Sequence, residues 1–311
     1  MTLTELRYLV NLARERHFGR AAEASFVSQP TLSVAIRKLE DELGVKLFER
    51  ATHEVSVTPI GEQVVAQAQR VLEEAQRVKE VATQGRDPLV GPLRLGAIYT
   101  VGPYLLPALI PQLRKLAPRM PLALHENYTH ELAARLRGGD LDAIVLSLPF
   151  AEPGVATLAL YDEPFRVVVP STHAWARLPR VPPEQLAAEN TLLLGAGNCF
   201  RDQVLQVAPG LNRSAATGMQ KTLEGSSLET IRHMVASGAG ITVLPATAAA
   251  SSAAESRLLA VKPFAGPQPS RRIALAWRLS YPRTAAIEAV RQAILACPLE
   301  GVTKLPAPRA A

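Results

Sequence analysis

The stretch Gly195-Ala196-Gly197-Asn198-Cys199-Phe200-Arg201-Asp202-Gln203 is where this chain's residue types and spacing could do chemistry. The apolar run Thr191 to Leu194 ends just before it, two glycines turn the backbone, and a helix is predicted to start at or next to the cysteine. A thiol placed there meets the positive end of the helix dipole and unpaired N–H groups, with Arg201 near, which favours a reactive thiolate. The bland alternative is an inert cysteine that packs as a small apolar side chain. Position alone leaves both readings open. The other cysteine, Cys297, follows Ile294-Leu295-Ala296, a setting that predicts packing.

Other chemistries find little support. Histidines 17, 53, 125, 130, 173 and 233 show no HExxH or paired Cys/His spacing, so no metal site is expected. No GxSxG elbow, Walker loop or complete GxGxxG occurs, and no cofactor is expected. No run of eighteen apolar residues suggests a membrane span, Met1 leads straight into a helical pattern, and two cysteines are too few for a disulfide framework. The expectation is a cytoplasmic protein without membrane partners.

The elements around Cys199 follow an alternating rhythm. Leu93–Ile98, Leu122–Glu126 and Ala143–Leu148 read as strands, with helices over 104–116 and 131–136 between them. A second unit includes strands near 165–170, 191–194 and 241–244 and a helix over 228–237. The chain is then expected to return through a strand, 271–277, and a helix, 283–296. Such βαβ order predicts parallel sheets flanked by helices. With two crossings, it predicts two lobes resembling periplasmic binding proteins and an effector cleft between them.

Residues 18 to 50 carry a different signal. Ala21 and Ala22 suit close helix packing, Phe26 and Val27 are placed to plug an interhelix turn, Ser28 caps a new helix, and Pro30 falls in its first turn. Leu32, Ile36, Leu39 and Leu43 form one stripe predicted to be buried, ended by Gly44. The outer face presents Gln29, Thr31, Ser33, Val34, Arg37 and Lys38, suited to base edges and phosphates in a major groove. An ordinary solvated helix would also be polar outside, but the flanks favour DNA. Leu6, Leu9, Val10 and Ala13 make a supporting helix. Phe48-Glu49-Arg50 leads through Val55 and Val57 to Thr58-Pro59 as a two-stranded wing, with Arg50 toward a phosphate. The expected partner is a double-stranded DNA operator.

Charge does not make this argument. The formal net charge is +6, yet residues 1–60 hold eight basic and eight acidic side chains, while residues 257–311 hold nine and two. The surplus predicts a solvated basic face and tail, and DNA affinity must come from the placement of Arg37, Lys38 and Arg50. Between the two halves, Val64, Ala68, Val71, Leu72, Ala75, Val78 and Ala82 recur at helical steps. About 25 helical residues give a rod of roughly 38 Å, whose seam is predicted to pair with a second copy.

The SQPTLS run into the second helix, the LGVKLFER exit and the spacing of small residues resemble the LysR-type transcriptional regulators. The resemblance implies an α/β chain with an N-terminal winged helix-turn-helix (1–58), a dimerising linker helix and hinge (59–90) and a two-lobed sensor (91–311). Lobe I would cover about 91–163 and 268–311, and lobe II about 164–267. It further implies that Gln29, Pro30, Thr31, Ser33 and Arg37 contact DNA, that RNA polymerase is a partner, and that a homodimer through the linker helix builds a homotetramer.

The stretch around Cys199, with Gly96–Tyr104 and Ser226–Gly238, is similar to the hydrogen-peroxide-sensing members of that family. That likeness implies that Cys199 is a peroxidatic thiol, with Thr100, Thr129, Gly197, Asn198, Arg201 and Asp202 forming a peroxide pocket. Two positions depart from it. Asn198 stands where His is usual, and it cannot shuttle a proton near neutral pH. Ala208 stands where the resolving cysteine is expected. Either a Cys-to-Ala change was introduced to hold the reduced or sulfenic state, which the intact flank favours, or the protein switches by a one-cysteine route. Two rivals remain: a regulator that senses a small organic effector in the cleft, with Cys199 structural, and a thiol peroxidase. The helix-turn-helix argues against the enzyme.

Overall fold

The structure, a computed structural model, describes residues 1–50, 55–84, 87–211, 224–225, 227–250 and 257–306. The wing tip, part of the hinge and Ser226 lie outside the described residues, as do the side chains of Arg50 and Ala82. Two compact units make up the chain, Met1–Asp87 and Pro88–Ala311.

In the first unit, α1 (Leu3–Glu15) opens with a capping box between Thr2 and Glu5. Helix α2 (Phe18–Ala24) is capped by His17, and α3 (Gln29–Leu43) by Ser28, with Gly44 in the left-handed region at its end. Strands β1 (Phe48–Arg50) and β2 (Val55–Val57) pair antiparallel as the wing. Leu9, Leu12, Leu32, Ile36, Leu39 and Leu47 form the core.

Two expectations fail here. Phe26 adopts φ +56° and is 95% exposed, because the left-handed turn swings its ring outward, and Val27 packs against the core instead. Leu43, at the last turn of α3, is 38% exposed and leaves the stripe.

Helix α4 (Pro59–Gln84) starts where the head ends. A side chain at Gly61 would strike the Leu47 carbonyl, so only glycine permits this close approach. Ala68 is buried, with Val64, Val65, Val71 and Leu72 beside it against the head's own core. The first turns of the seam thus serve this chain rather than a second copy, whereas Val78, 71% exposed, stays open.

Glu40 ties α3 to the wing. Its carboxylate accepts from the N–H groups of Leu47 and Phe48 and pairs with Lys46 at 3.0 Å. Burial opposes its charge, but Lys46 and the two N–H groups outweigh this and hold its carboxyl below the usual range. Because the folded value lies below the unfolded one, the contribution is complete above the ordinary carboxylate range and is lost as pH falls through the folded value. Glu40→Gln is expected to cost the head about 1–3 kcal/mol at neutral pH and to flatten its acid limb. Urea unfolding at several pH values checks both effects.

In the second unit, β3 (Leu93–Ile98) lies between β4 (Leu122–Asn127) and β5 (Ala143–Leu148), all parallel, with α5 (Gly102–Leu116) and α6 (Thr129–Arg137) as crossovers. The 16-residue β6 (Val155–Pro170) runs through both lobes. Its first part pairs with β11 (Ser270–Arg278) and its last part with β9 (Ile241–Pro245) and β10 (Leu259–Lys262), all antiparallel. β7 (Thr191–Leu194) joins β9 and the short β8 (Glu224–Gly225) in parallel. The sheets are therefore mixed, not parallel as expected, since β11 runs antiparallel to β5 in one lobe and β6 runs antiparallel to β9 in the other.

Each lobe has its own core. One gathers β3, β5, β11 and α9 (Thr284–Ala296), and the other gathers β7, β9, α7 (Cys199–Val207) and α8 (Leu228–Ala236).

The C-terminal basic surplus is only in part the solvated face expected of it. Arg271 and Arg283 are buried, and Arg278 donates to the Leu136 and Leu141 carbonyls. Arg272 pairs with Asp162, and Arg291 with Glu288. Arg283 donates to the carbonyls of Pro88, Val90, Gly91 and Pro92, which fixes the segment that enters the sensor. Part of the surplus has gone inward, into the frame of the fold, whereas Arg257, Arg272 and Lys304 stay exposed.

Candidate functional site

β7 delivers the chain to the turn at Gly195–Asn198, where Gly197 adopts φ +90°, a conformation that costs glycine little. Asn198 is buried and donates to the Gly195 carbonyl at 3.1 Å, closing the turn. Cys199 is the first residue of α7.

The partly buried Cys199 belongs to a helix of one lobe but packs against the core of the other. Thr129, first residue of α6, points its hydroxyl at Sγ from 3.8 Å. One turn along α7, Gln203 Nε2 donates to Ser147 Oγ at the end of β5, 2.9 Å away. The thiol thus sits where the lobes touch. A cleft of about 920 Å³ opens beside it, lined by Ser147, Phe150, Asp202, Gln203, Arg271 and Arg272 among others. The Arg272 guanidinium holds the Asp162 carboxyl at this cleft below its usual range.

Arg271, which lines the same cleft, belongs to a buried polar network. Arg271 and Glu163 pair at 2.8 Å with both side chains fully buried. Arg271 also donates to Thr100 Oγ1 at 2.7 Å and to the Thr100 carbonyl at 2.8 Å. Glu163 accepts from the N–H and hydroxyl of Thr247. The Arg271 guanidinium lies 5.2 Å from the centre of the Phe200 ring, and Phe165 meets that ring edge-on. Phe200 follows Cys199 in the chain, so the network holds Thr100 and ends one residue from the thiol.

Of the residues expected around a peroxide, Thr129 touches the sulfur and Asp202 shares its cleft. Thr100 is held within the network by Arg271, and Gly197 and Asn198 shape the turn. Arg201 donates to the Leu194 carbonyl at 2.7 Å, at the end of β7. Arg271, Glu163, Gln203 and Ser147 were not anticipated. Alternation along the 271–277 strand puts Arg271 on one face with Ile273 and Leu275, a signal that could have marked it as inward-facing.

Cys297 and position 208 are the two places where the sequence raises the question of a second thiol. Cys297 is wholly buried and donates to the Ala293 carbonyl at 3.2 Å; burial pushes its thiol up. Ala208 is buried at the end of an intact α7, about 13 Å along the helix axis from Cys199. A disulfide between these positions needs Cα atoms within about 7 Å, so even a cysteine at 208 would demand that α7 unwind.

On the head, Gln29, Pro30, Thr31, Arg37 and Lys38 are exposed along α3 and Ser33 is half-buried. Thr31 and Ser28 share a hydroxyl hydrogen bond of 2.8 Å. Lys38 pairs with Glu5 at 3.0 Å.

Residues 3–62 match the bacterial regulatory helix-turn-helix protein, lysR family, and residues 86–296 match the LysR substrate binding domain. The chain belongs to the LysR family of transcriptional regulators. This LysR-type regulator is 42% identical over 296 residues to the DNA-binding transcriptional dual regulator OxyR of Escherichia coli strain K12, covering 95% of each chain. It is 39% identical to the hydrogen peroxide-inducible genes activator of Haemophilus influenzae, covering 94% of this chain and 96% of that one. Among solved structures, full-length OxyR C199D from Pseudomonas aeruginosa is similar with a TM-score of 0.78 and 53% identity, covering 96% of this chain and 99% of that one. An H2O2-bound OxyR mutant from Corynebacterium glutamicum is similar with a TM-score of 0.59 and 33% identity, covering 94% and 93%. These likenesses span head and sensor alike, so the LysR-type architecture holds for the whole chain.

Proposed function

We propose that this LysR-type regulator binds an operator in double-stranded DNA and senses hydrogen peroxide through oxidation of Cys199, controlling oxidative-stress genes with RNA polymerase as partner. The observation that carries the reading is the setting of Cys199: a partly exposed thiol at a helix start, with the Thr129 hydroxyl on its sulfur and an open cleft beside it. The thiolate attacks one peroxide oxygen, the S–O bond forms as the O–O bond breaks, and hydroxide leaves and takes a proton from solvent. Thr100, Thr129, Gly197, Asn198, Arg201 and Asp202 form the pocket in this reading. The protein acts as a regulator rather than a thiol peroxidase, because one oxidation event suffices for a signal and no second thiol is placed for recycling. With Ala208 in place the switch stops at sulfenic acid, and its effect on DNA binding is weak or reversible. The setting is the cytoplasm; no described helix is long and apolar enough to cross a membrane.

The test treats the purified chain with near-equimolar hydrogen peroxide and follows both cysteines by sulfenic-acid trapping and intact mass. Rapid trapping at Cys199 with Cys297 inert is the expected result. A reaction no faster than that of an ordinary free thiol would shift the reading to a regulator that binds a small organic effector, which the 920 Å³ of the cleft could accommodate.

On the head, Gln29, Pro30, Thr31, Ser33 and Arg37 contact bases and phosphates in this reading, with Lys38 and Arg50 on the backbone. Arg37→Ala is expected to weaken operator binding by about 1–3 kcal/mol if Arg37 reads a base, or to weaken all DNA equally with a salt slope smaller by about one if it holds a phosphate. Titrations at several salt concentrations on operator and random DNA separate the two. A second copy joins through the part of α4 left open at Val78, and a homotetramer is the assembly proposed.

A further inference from the structure

We propose that Gln203 is a further residue of the peroxide site, and that its Oε1 accepts the hydroxyl hydrogen of the sulfenic acid formed on Cys199. This rests on the peroxide-sensing reading above. Gln203 and Cys199 are four residues apart on α7, so they share one helix face with side chains roughly 5–6 Å apart at Cβ, and both line the same cleft. That spacing fits one oxygen bonded to sulfur and hydrogen-bonded to a carboxamide.

The carboxamide is already oriented for this. Nε2 is held by Ser147 Oγ at 2.9 Å, and that hydroxyl points on toward the Leu148 carbonyl. The other end is left over: Oε1 is buried, and among the described residues no donor reaches it. A buried acceptor without a partner is costly, and polar atoms so placed at a functional site call for a donor. The thiol of reduced Cys199 is a weak donor, whereas the O–H of a sulfenic acid is a strong one. Oxidation therefore creates the partner that Gln203 lacks.

The consequence is chemical. Over-oxidation proceeds through the sulfenate anion, which attacks a second peroxide: another S–O bond forms, another O–O bond breaks, and hydroxide leaves as the sulfur becomes sulfinic acid. A hydrogen bond that holds the proton on the sulfenic oxygen disfavours the anion and slows this step. Cys297 is buried and position 208 is alanine, so the chain has no thiol placed to rescue the sulfenic acid, and its lifetime depends on such protection.

The experiment uses the full chain. After equimolar hydrogen peroxide, the sulfenic acid is trapped with dimedone at increasing delays. A second series adds excess peroxide and measures sulfinic acid by intact mass. Gln203→Met, of similar length but without the acceptor, is expected to convert to sulfinic acid roughly five- to tenfold faster, the factor expected for one hydrogen bond. Gln203→Glu, which keeps an acceptor, should be as slow as the parent or slower. Thermal melting checks folding, and Ser147→Ala, which frees the carboxamide from its anchor, should fall between parent and Gln203→Met. A Gln203→Met chain that folds and over-oxidises at the parent rate overturns the proposal while leaving the peroxide reading intact. A parent chain that forms no sulfenic acid overturns both.

Discussion

A Cys199→Ser chain will give no sulfenic-acid adduct with near-equimolar hydrogen peroxide, and its DNA footprint will be the same before and after peroxide. The hydroxyl cannot be oxidised by two electrons at oxygen, and the remaining thiol, Cys297, is sealed in the lobe core, its burial favouring the neutral form. The matched Cys297→Ser chain is expected to react as the parent does. The pair of variants thus assigns the chemistry to one sulfur without relying on trapping efficiency. An equal adduct on both variants, or a footprint that shifts in Cys199→Ser, would sink the sensing role of Cys199. Thr129→Val extends the test, since it keeps the shape beside the sulfur and removes the hydroxyl at 3.8 Å.

Much of the positioning was legible because it is local. Leu93–Ile98, Ala143–Leu148 and Thr191–Leu194 are strands with the expected bounds, since short apolar runs between turn residues have few alternatives. Ser28, Pro30 and Gly44 marked both ends of α3 for the same reason. What failed was set by distant partners. Nothing near Phe26 says that its turn is left-handed, and nothing in the heptad-like run after Gly61 says that the head will occupy its first turns. The chemistry divides in the same way. Cys199 and its turn could be read from adjacent residues, whereas Arg271 meets Glu163 across 108 residues and Thr100 across 171. Sequence showed a basic C-terminal segment; only packing reveals that Arg271, Arg278 and Arg283 are internal ligands.

Glu163→Ala is expected to cost the sensor about 3–5 kcal/mol, because it leaves the Arg271 guanidinium fully buried without its carboxylate. Denaturant unfolding of the full chain measures the cost as a lower midpoint for the sensor transition. The loss is not the worth of the pair. Two buried charges cost much to desolvate, so Glu163→Leu combined with Arg271→Met should recover most of the stability, and the difference from the sum of the single changes reports the coupling. The double variant will nevertheless oxidise more slowly at Cys199, because the guanidinium that holds both Thr100 Oγ1 and its carbonyl, and stacks on Phe200, is gone. A stable double variant with the parent oxidation rate would reduce the network to a packing device. A stable and slow one would place it in the sensing chemistry, and would explain why a fully buried ion pair, weak evidence for stability in itself, has its arginine on the cleft that the thiol lines.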